Sequence, residues 1–600
     1  MKPRADAAGK RATAGAAPPA AARHRRRRGT GSGTLVVAPR AGGAFHARRF
    51  PAVPAVSSFT QYKNMLFTGA GTLGSRVLGL ARDHLVARLL GGGLVADAFL
   101  FAFQVPNLFR RLLGEGALTA AAVPVMSKEN ERGGRAAAFA FLNTVLTRAA
   151  LLMFALTAVA MLVAWLLSGA DFLEDRHRLA AWLTVVSMPY MPLICLAALF
   201  TAGLNIFGRF GITALSAVWL NLAMIAALAA GGLFLAENPV QLAALLCCGT
   251  LVGGLLQLFI PLLALRREGW RAAFAPRRTP AWNELRALFL PALAGAGIQQ
   301  INFFVSRFLA LNLDECSLSV YYYANRIVEL PVGLFAITVS TVIFPALARH
   351  AAAGDTRELG KSYAHGMRLI FAVNIPAAAG LLVLAEPVVR AIFEYGEFRA
   401  AETAATVPVL LLFTLAMPFY GAIALTGRAL NAVSETRVQA RIAGWLFAAN
   451  LVLAPAAAAL WGVNGLAGTS LLLTLVQFVC FQRALLRRDA AFKRQPLLLP
   501  LLQTLVAAAA MAVAARVLWL GAERFALGGA RPEWLPQSIA LPVVLLAIIA
   551  VAAALYFALL SLVRFPETGL LRAAVVRRFS RTGSARHATT VNAKKEEEHP

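Results

Sequence analysis

The chain has 600 residues, 59% of them apolar and 14% charged, with a formal net charge of +29. Its apolar residues come in long blocks from about residue 65 to about residue 563, and a bilayer-spanning helix needs roughly 20 such residues, so soluble domains are excluded from that stretch. The positive excess sits in the two tails and in alternate loops, which reads as membrane topology and not as a nucleic-acid footprint.

Residues 1–58 are rich in Ala, Gly, Pro and Arg, and Asp6 is their only acid. They read as a disordered basic extension, either a solvated tail or an upstream extension of the reading frame. About fourteen apolar spans follow, at roughly 65–90, 94–113, 137–167, 179–204, 213–235, 239–264, 283–310, 318–346, 366–385, 403–426, 438–461, 464–482, 498–519 and 538–563. The expected fold is an all-α integral membrane protein.

The loops alternate in sign. Those after the second, sixth and twelfth spans hold Lys128, Arg132 and Arg135; Arg266, Arg267, Arg271, Arg277 and Arg278; and Arg483, Arg487, Arg488, Lys493 and Arg494. Those after the third and seventh hold Asp171, Glu174 and Asp175 with two arginines, Arg176 and Arg178, and Asp314 with Glu315. The positive-inside rule then puts both termini and the even-numbered loops in the cytoplasm.

The first span carries Arg76, Arg82, Asp83 and Arg88, and a charge at the bilayer centre costs about 2.5–3.5 kcal/mol on the insertion scale. Arg88 reads as a snorkelling residue and Asp83 as a local neutraliser, whereas Arg76 lies well inside the span. The second span opens on Asp97 and closes on Asn107, Arg110, Arg111 and Glu115. Arg111 and Glu115 are four apart and read as a local pair; Arg110 suits either snorkelling or a ligand. In the seventh, Arg307 follows Gln299, Gln300 and Asn302 on a polar stripe, and in the eighth Arg326 and Glu329 share a face.

An internal echo relates these segments. Arg88 leads through Asp97 to Pro106 and Pro124, much as Arg307 leads through Tyr322 to Pro331 and Pro345, and Asn205, Arg209 and Trp219 are echoed by Asn431, Arg437 and Trp445. Two parallel six-helix halves are implied, with a site at their interface. The expected division is 59–264 for the first lobe, 265–482 for the second, 483–565 for two extra helices and 566–600 for a cytoplasmic tail.

Arginines converging there would form a partly desolvated cationic pocket suited to a phosphate or diphosphate, with Asp97 and Glu329 orienting arginines or gating the empty site. No phosphate loop, Ser-His-Asp set or metal-binding cluster is present in the sequence. The five cysteines suggest no disulfide framework. An enzyme is therefore not expected, nor a metal or cofactor.

The segments SRVLGLARD at 75–83, ADAFLFAFQVPNLFRRLLGEGAL at 96–118, YYYANRIVELPVGLF at 321–335 and Tyr395 to Phe398 resemble the MurJ (MviN) lipid II flippases of the multidrug, oligosaccharidyl-lipid and polysaccharide exporter superfamily. The likeness runs from about residue 60 to about 565. It implies a fourteen-helix bundle in two lobes, a central cationic cavity for the diphosphate and sugar-peptide head group, and a groove at the last two helices for the undecaprenyl tail. Carried over by motif, the substrate-binding charges are Arg76, Arg82, Asp97, Arg110, Arg326 and Glu329.

There are departures. Asn325 stands where the family often has Asp, and Asn431 to Gln439 match the family's turn poorly. The apolar interiors of spans seven and eleven hold no acid, Asn450 being the nearest polar candidate, so membrane potential and not sodium is the expected driving force. The resemblance implies flipping of lipid II to the periplasmic leaflet by alternating access, for cell-wall synthesis. Expected partners are lipid II, anionic lipids and cell-wall synthesis proteins. The competing readings are another lipid-linked oligosaccharide or multidrug exporter, a polyprenyl-phosphate enzyme, and a cell-wall scaffold.

Overall fold

A computed structural model of the chain describes residues 58–276, 279–333, 337–493, 495–525, 537–567 and 569. The basic extension, apart from Ser58, and nearly all of the expected C-terminal tail lie outside the described residues. The described elements are helical. In chain order they are α1 (Ser58–Leu90), α2 (Leu94–Phe109), a π segment (Arg110–Leu118), α3 (Thr119–Ser168), α4 (Asp175–Ser187), α5 (Tyr190–Ile206), α6 (Phe210–Ala214), α7 (Ser216–Phe234) and α8 (Pro239–Arg267). There follow α9 (Pro280–Leu311), α10 (Ser317–Pro331), α11 (Ile337–Ala352), α12 (Thr356–Val383), α13 (Ala385–Phe393), α14 (Ala400–Ala432), α15 (Thr436–Arg488), α16 (Leu498–Phe525) and α17 (Gln537–Leu562).

Helix starts follow local chemistry. Asn238 accepts the Gln241 N–H at 3.1 Å with Pro239 in the first turn of α8, and Thr279 accepts that of Trp282 at 3.3 Å ahead of Pro280 in α9. These side chains satisfy N–H groups that a helix N-terminus leaves open, and proline has none to lose there. Breaks are equally legible. Leu94–Ser168 is one 75-residue helical run, about 112 Å if straight against a hydrocarbon core of about 30 Å. It turns back at Gly133 and Gly134, the latter at φ 66° and ψ −166°, a region essentially confined to glycine. The run Thr436–Arg488 breaks likewise at Trp461 and Gly462.

Among the described residues, nine helical runs are long and apolar enough to cross a membrane, or ten if α4 and α5, bent by 43°, count as one span. The fourteen expected spans are not reached by this test. Neither α1 nor α10 with α11 is among the nine: α1 carries Arg76, Arg82, Asp83 and Arg88, and α10 ends at Pro331 before a short π turn at 332–333. Both α1 and α10 carry residues that line the site.

The largest packing contacts fall into two sets, one before α9 and one after it. In the first, α2 packs on α4, α3 on α5, and α7 and α5 on α8; in the second, α12, α10 and α15 pack on α14. α9 lies at the seam, touching α3 and the π segment on one side and α15 on the other. α16 and α17 pack on each other and on α12 and α13, with the Tyr556 hydroxyl donating to the Ala372 carbonyl at 2.7 Å.

Past the end of α17, the buried Glu567 carboxylate accepts from Arg368 Nε at 2.5 Å and meets His365 Nδ1 at 3.1 Å, both on α12. Burial alone would raise this carboxyl, but the hydrogen bonds and charge of His365 and Arg368 outweigh it and hold it below the usual carboxylate range. Glu567→Gln is expected to cost about 1.5–3 kcal/mol, the contribution of hydrogen bonds to a charged group. That contribution is full above the unfolded carboxylate value of about 4.3 and is lost as pH falls through the depressed folded value. Thermal melts of purified protein should therefore separate wild type from variant at pH 7 and converge in acid.

Candidate functional site

The hub of the site is Asp83. It is 2% exposed, and its Oδ1 accepts from Arg82 Nε at 3.0 Å, Arg82 Nη2 at 2.6 Å and the Tyr322 hydroxyl at 3.1 Å. Its Oδ2 forms an ion pair with Arg326 Nε at 2.5 Å. One carboxylate thus links an arginine of α1 to an arginine of α10, one from each half. Breaking such a buried network leaves an uncompensated charge, which is why it fixes geometry.

Around this hub lies a cavity of about 510 Å³. Its lining includes Arg76 and Arg82 from α1, Arg110 and Arg111 from the π segment, Arg307 from α9, and Arg326 and Glu329 from α10. Among the described residues, six arginines stand against Glu329 in the wall and Asp83 behind it. Neutral polar groups hold several of them. Asn221 accepts from Arg82 Nη1 at 3.1 Å and donates to the Ser75 carbonyl at 3.1 Å, and Asn107 accepts from Arg110 Nε at 3.0 Å. Asn325 donates to Glu329 Oε1 at 2.9 Å, while Glu329 Oε2 lies 3.4 Å from Arg326 Nη1. Arg307 is 7% exposed, and its Nε has no hydrogen-bond partner among the described residues.

Two glycines seat two of the guanidinium groups across the seam. A Cβ at Gly79 of α1 would stand 2.4 Å from Arg326 Nη2, and one at Gly333, just after α10, would stand 2.0 Å from Arg76 Nη1. Arg76 also donates to the Glu329 carbonyl at 3.3 Å. Each half therefore gives backbone room to the other's arginine. Gly333→Ala is expected to displace Arg76 without changing any charge and to cut lipid-substrate affinity of the purified protein roughly tenfold, one charge-assisted hydrogen bond, while its melting temperature stays near that of wild type.

Five of the six sequence-assigned charges meet in this cavity: Arg76, Arg82, Arg110, Arg326 and Glu329. Asp97 does not. It is buried where α2 and α10 begin, accepting the Ser319 N–H at 2.7 Å and the Ser319 hydroxyl, so it orients no arginine; it ties the two halves together away from the cavity. The same end carries further cross-contacts, from Arg176 to the Leu313 carbonyl and from the Glu397 N–H to the Arg88 carbonyl at 3.0 Å. Arg88 is exposed there, in keeping with a snorkelling position. The cavity lies on the opposite side of Asp83 from these closures.

One sequence assignment is revised: Asp83 is the shared counter-ion of the site and more than a local neutraliser. Arg111, expected to pair with Glu115, also lines the cavity. The Glu115 side chain lies outside the described residues. Arg307, Asn221, Gln257 and Tyr322, absent from the six, also line it. Their signal was available, since polar residues inside apolar spans face an interior or a cavity.

The family described as Lipid II flippase MurJ matches residues 86–532 of the chain. Over 508 residues the chain is 34% identical to the probable lipid II flippase MurJ of Rhizobium meliloti (strain 1021), covering 83% of this chain and 92% of that relative. Its fold is similar to the solved structure of a lipid II flippase MurJ in an inward closed conformation, with a TM-score of 0.67 and 24% identity over 83% of this chain and all of the other. It is also similar to an inward-facing multidrug resistance MATE family transporter of the MOP superfamily, with a TM-score of 0.59 and 15% identity over 70% of this chain and 96% of that one. At these identities the likeness to solved structures is one of fold. The match in sequence is of another order, spanning both arginine-bearing halves, and by it the chain belongs to the lipid II flippase MurJ family.

Proposed function

We propose that the chain moves lipid II, the undecaprenyl-diphosphate-linked peptidoglycan precursor, from the cytoplasmic to the periplasmic leaflet of the inner membrane by alternating access. The observation that carries this reading is the six-arginine cavity at the seam between two helical halves. Guanidinium groups bind diphosphate oxygens bidentately, and a buried donor such as Arg307 Nε is expected to find a partner when the site fills. Asp83 bridges Arg82 and Arg326, and Glu329 lies against Arg326; an incoming diphosphate competes with Glu329 for Arg326 and adds contacts from Arg76 and Arg110.

Release on the far side requires the halves to part where Asp97 holds Ser319 and Arg176 holds Leu313. Those polar contacts can be exchanged for water, and the apolar cluster that includes Phe99, Leu318 and Phe398 has to part with them. Both termini and the arginine-rich loops lie in the cytoplasm in this reading. A membrane potential positive outside then favours outward movement of the anionic head group by about 2.3 kcal/mol per charge per 100 mV. No bond is made or broken, and no sodium ion is required. The tail stays in lipid along α16 and α17.

Complementation tests the reading. Cells depleted of their own lipid II flippase should grow when this chain is supplied, and lipid II should not accumulate on the cytoplasmic face. Continued accumulation with the chain present in the membrane would reject lipid II as its cargo.

A further inference from the structure

A second cavity, of about 250 Å³, lies at the seam between α3 and α9 and is separate from the arginine cavity. Its walls are apolar, Leu152 and Met153 from α3 and Phe289 and Leu290 from α9 among them, except for Arg148 and Arg286. Among the described residues no carboxylate lines it. An arginine beside an apolar cavity within a membrane protein is costly unless a backbone carbonyl, a carboxylate or another anion meets it.

The arginines stand within about one helical turn of each other, measured along α9. The chain between α8 and α9 lies along the first turns of the returning arm of α3, with Trp270 Nε1 donating to Asn143 at 3.0 Å and the Ala275 N–H to Thr147 at 3.2 Å. Arg148 ends this series by donating to the Pro276 carbonyl at 2.6 Å, and its guanidinium lies 4.2 Å from the centre of the Trp282 ring. Arg286 follows Trp282 by four residues, about one helical turn. Leu152, Met153, Phe289 and Leu290 lie roughly a further turn along. The cavity is thus charged at the arginine-rich end of the bundle and apolar beyond it. Snorkelling accounts for an arginine at an interface but not for the apolar cavity beneath a pair of them.

We propose that this cavity binds an anionic diacyl phospholipid, its phosphate between Arg148 and Arg286 and part of one acyl chain against Met153 and Phe289. Basic pockets between membrane helices on the cytoplasmic side are suited to such head groups. Leu113 and Leu118 of the π segment complete the wall, so the lipid packs against the segment that carries Arg110 and Arg111 and touches both halves at once. The site is independent of the cargo assigned to the arginine cavity.

The test uses the purified full chain in nanodiscs of phosphatidylcholine, doped with increasing phosphatidylglycerol or phosphatidylcholine carrying dibrominated acyl chains, which quench nearby tryptophan. The component lost in Trp282→Phe reports on the cavity. Half-quenching of that component is expected at a roughly tenfold lower mole fraction of brominated phosphatidylglycerol than of brominated phosphatidylcholine, in line with two favourable charges near the surface. Arg148→Gln with Arg286→Gln should abolish the preference, and Arg286→Gln alone, at an exposed position, should reduce it roughly threefold. Equal quenching by the two lipids, or a preference that survives in the folded double variant, overturns the proposal. So does relief of quenching by undecaprenyl diphosphate at mole fractions where unbrominated phosphatidylglycerol has no effect, which would give the cavity to the prenyl substrate.

Discussion

Asp83→Asn is expected to abolish complementation of a flippase-depleted cell and to destabilise the purified protein by about 3–5 kcal/mol, the cost of removing one partner of a buried ion network. The substitution keeps size and shape, so packing does not explain the loss. It removes the one charge shared by Arg82 and Arg326, at 2.6 Å and 2.5 Å. Those guanidiniums then repel each other where the low dielectric strengthens the repulsion. The destabilisation is read from melting temperature in detergent. If the account holds, Arg326→Met in the same background recovers part of the stability, because it removes the charge left uncompensated, but recovers no transport. Full stability in Asp83→Asn would mean that the network is solvated and that Asp83 is not its hub.

The second large effect concerns the cavity's charge. Arg76→Ala with Arg326→Ala takes two arginines, one from each half, out of the wall. Charge-assisted hydrogen bonds contribute about 1.5–3 kcal/mol each, so loss of one per arginine should weaken binding of a lipid-linked diphosphate roughly 100- to 10,000-fold. Binding of a neutral prenyl alcohol should hardly change. Isothermal titration of the detergent-solubilised protein with each lipid separates the two outcomes. Equal loss for both lipids would place these arginines in the framework of the protein and not in contact with phosphate.

Much of this site was legible before any coordinates. Arg76 and Arg326 stand out because charge inside an apolar run is costly, and the echo between Pro106 and Pro331 placed one set in each half; a π-type break follows both helices, at Arg110–Leu118 and at 332–333. What the sequence hid depends on contacts between distant segments. Asp83 looks like a neutraliser of Arg82 because the two are adjacent, and its pairing with Arg326 spans 243 positions of chain. Asp97 carries the same charge as Glu329 in a comparable setting, yet it binds Ser319 at the closed end. Gly79 and Gly333 carry no signal of their partners in the sequence, yet their lack of a side chain is what admits an arginine from the other half. The span count was softer for a related reason, since α1 and α10 trade hydrophobicity and continuity for the groups that line the cavity.

The most direct test of the central claim is translocation itself. Purified chain is reconstituted into liposomes with lipid II in one leaflet, and its appearance in the other is followed as membrane potential is varied. The account predicts transport by the wild type, accelerated when the receiving side is positive, and baseline rates for Arg76→Ala with Arg326→Ala. Equal transport by the two proteins, or wild-type transport indifferent to potential, would contradict it.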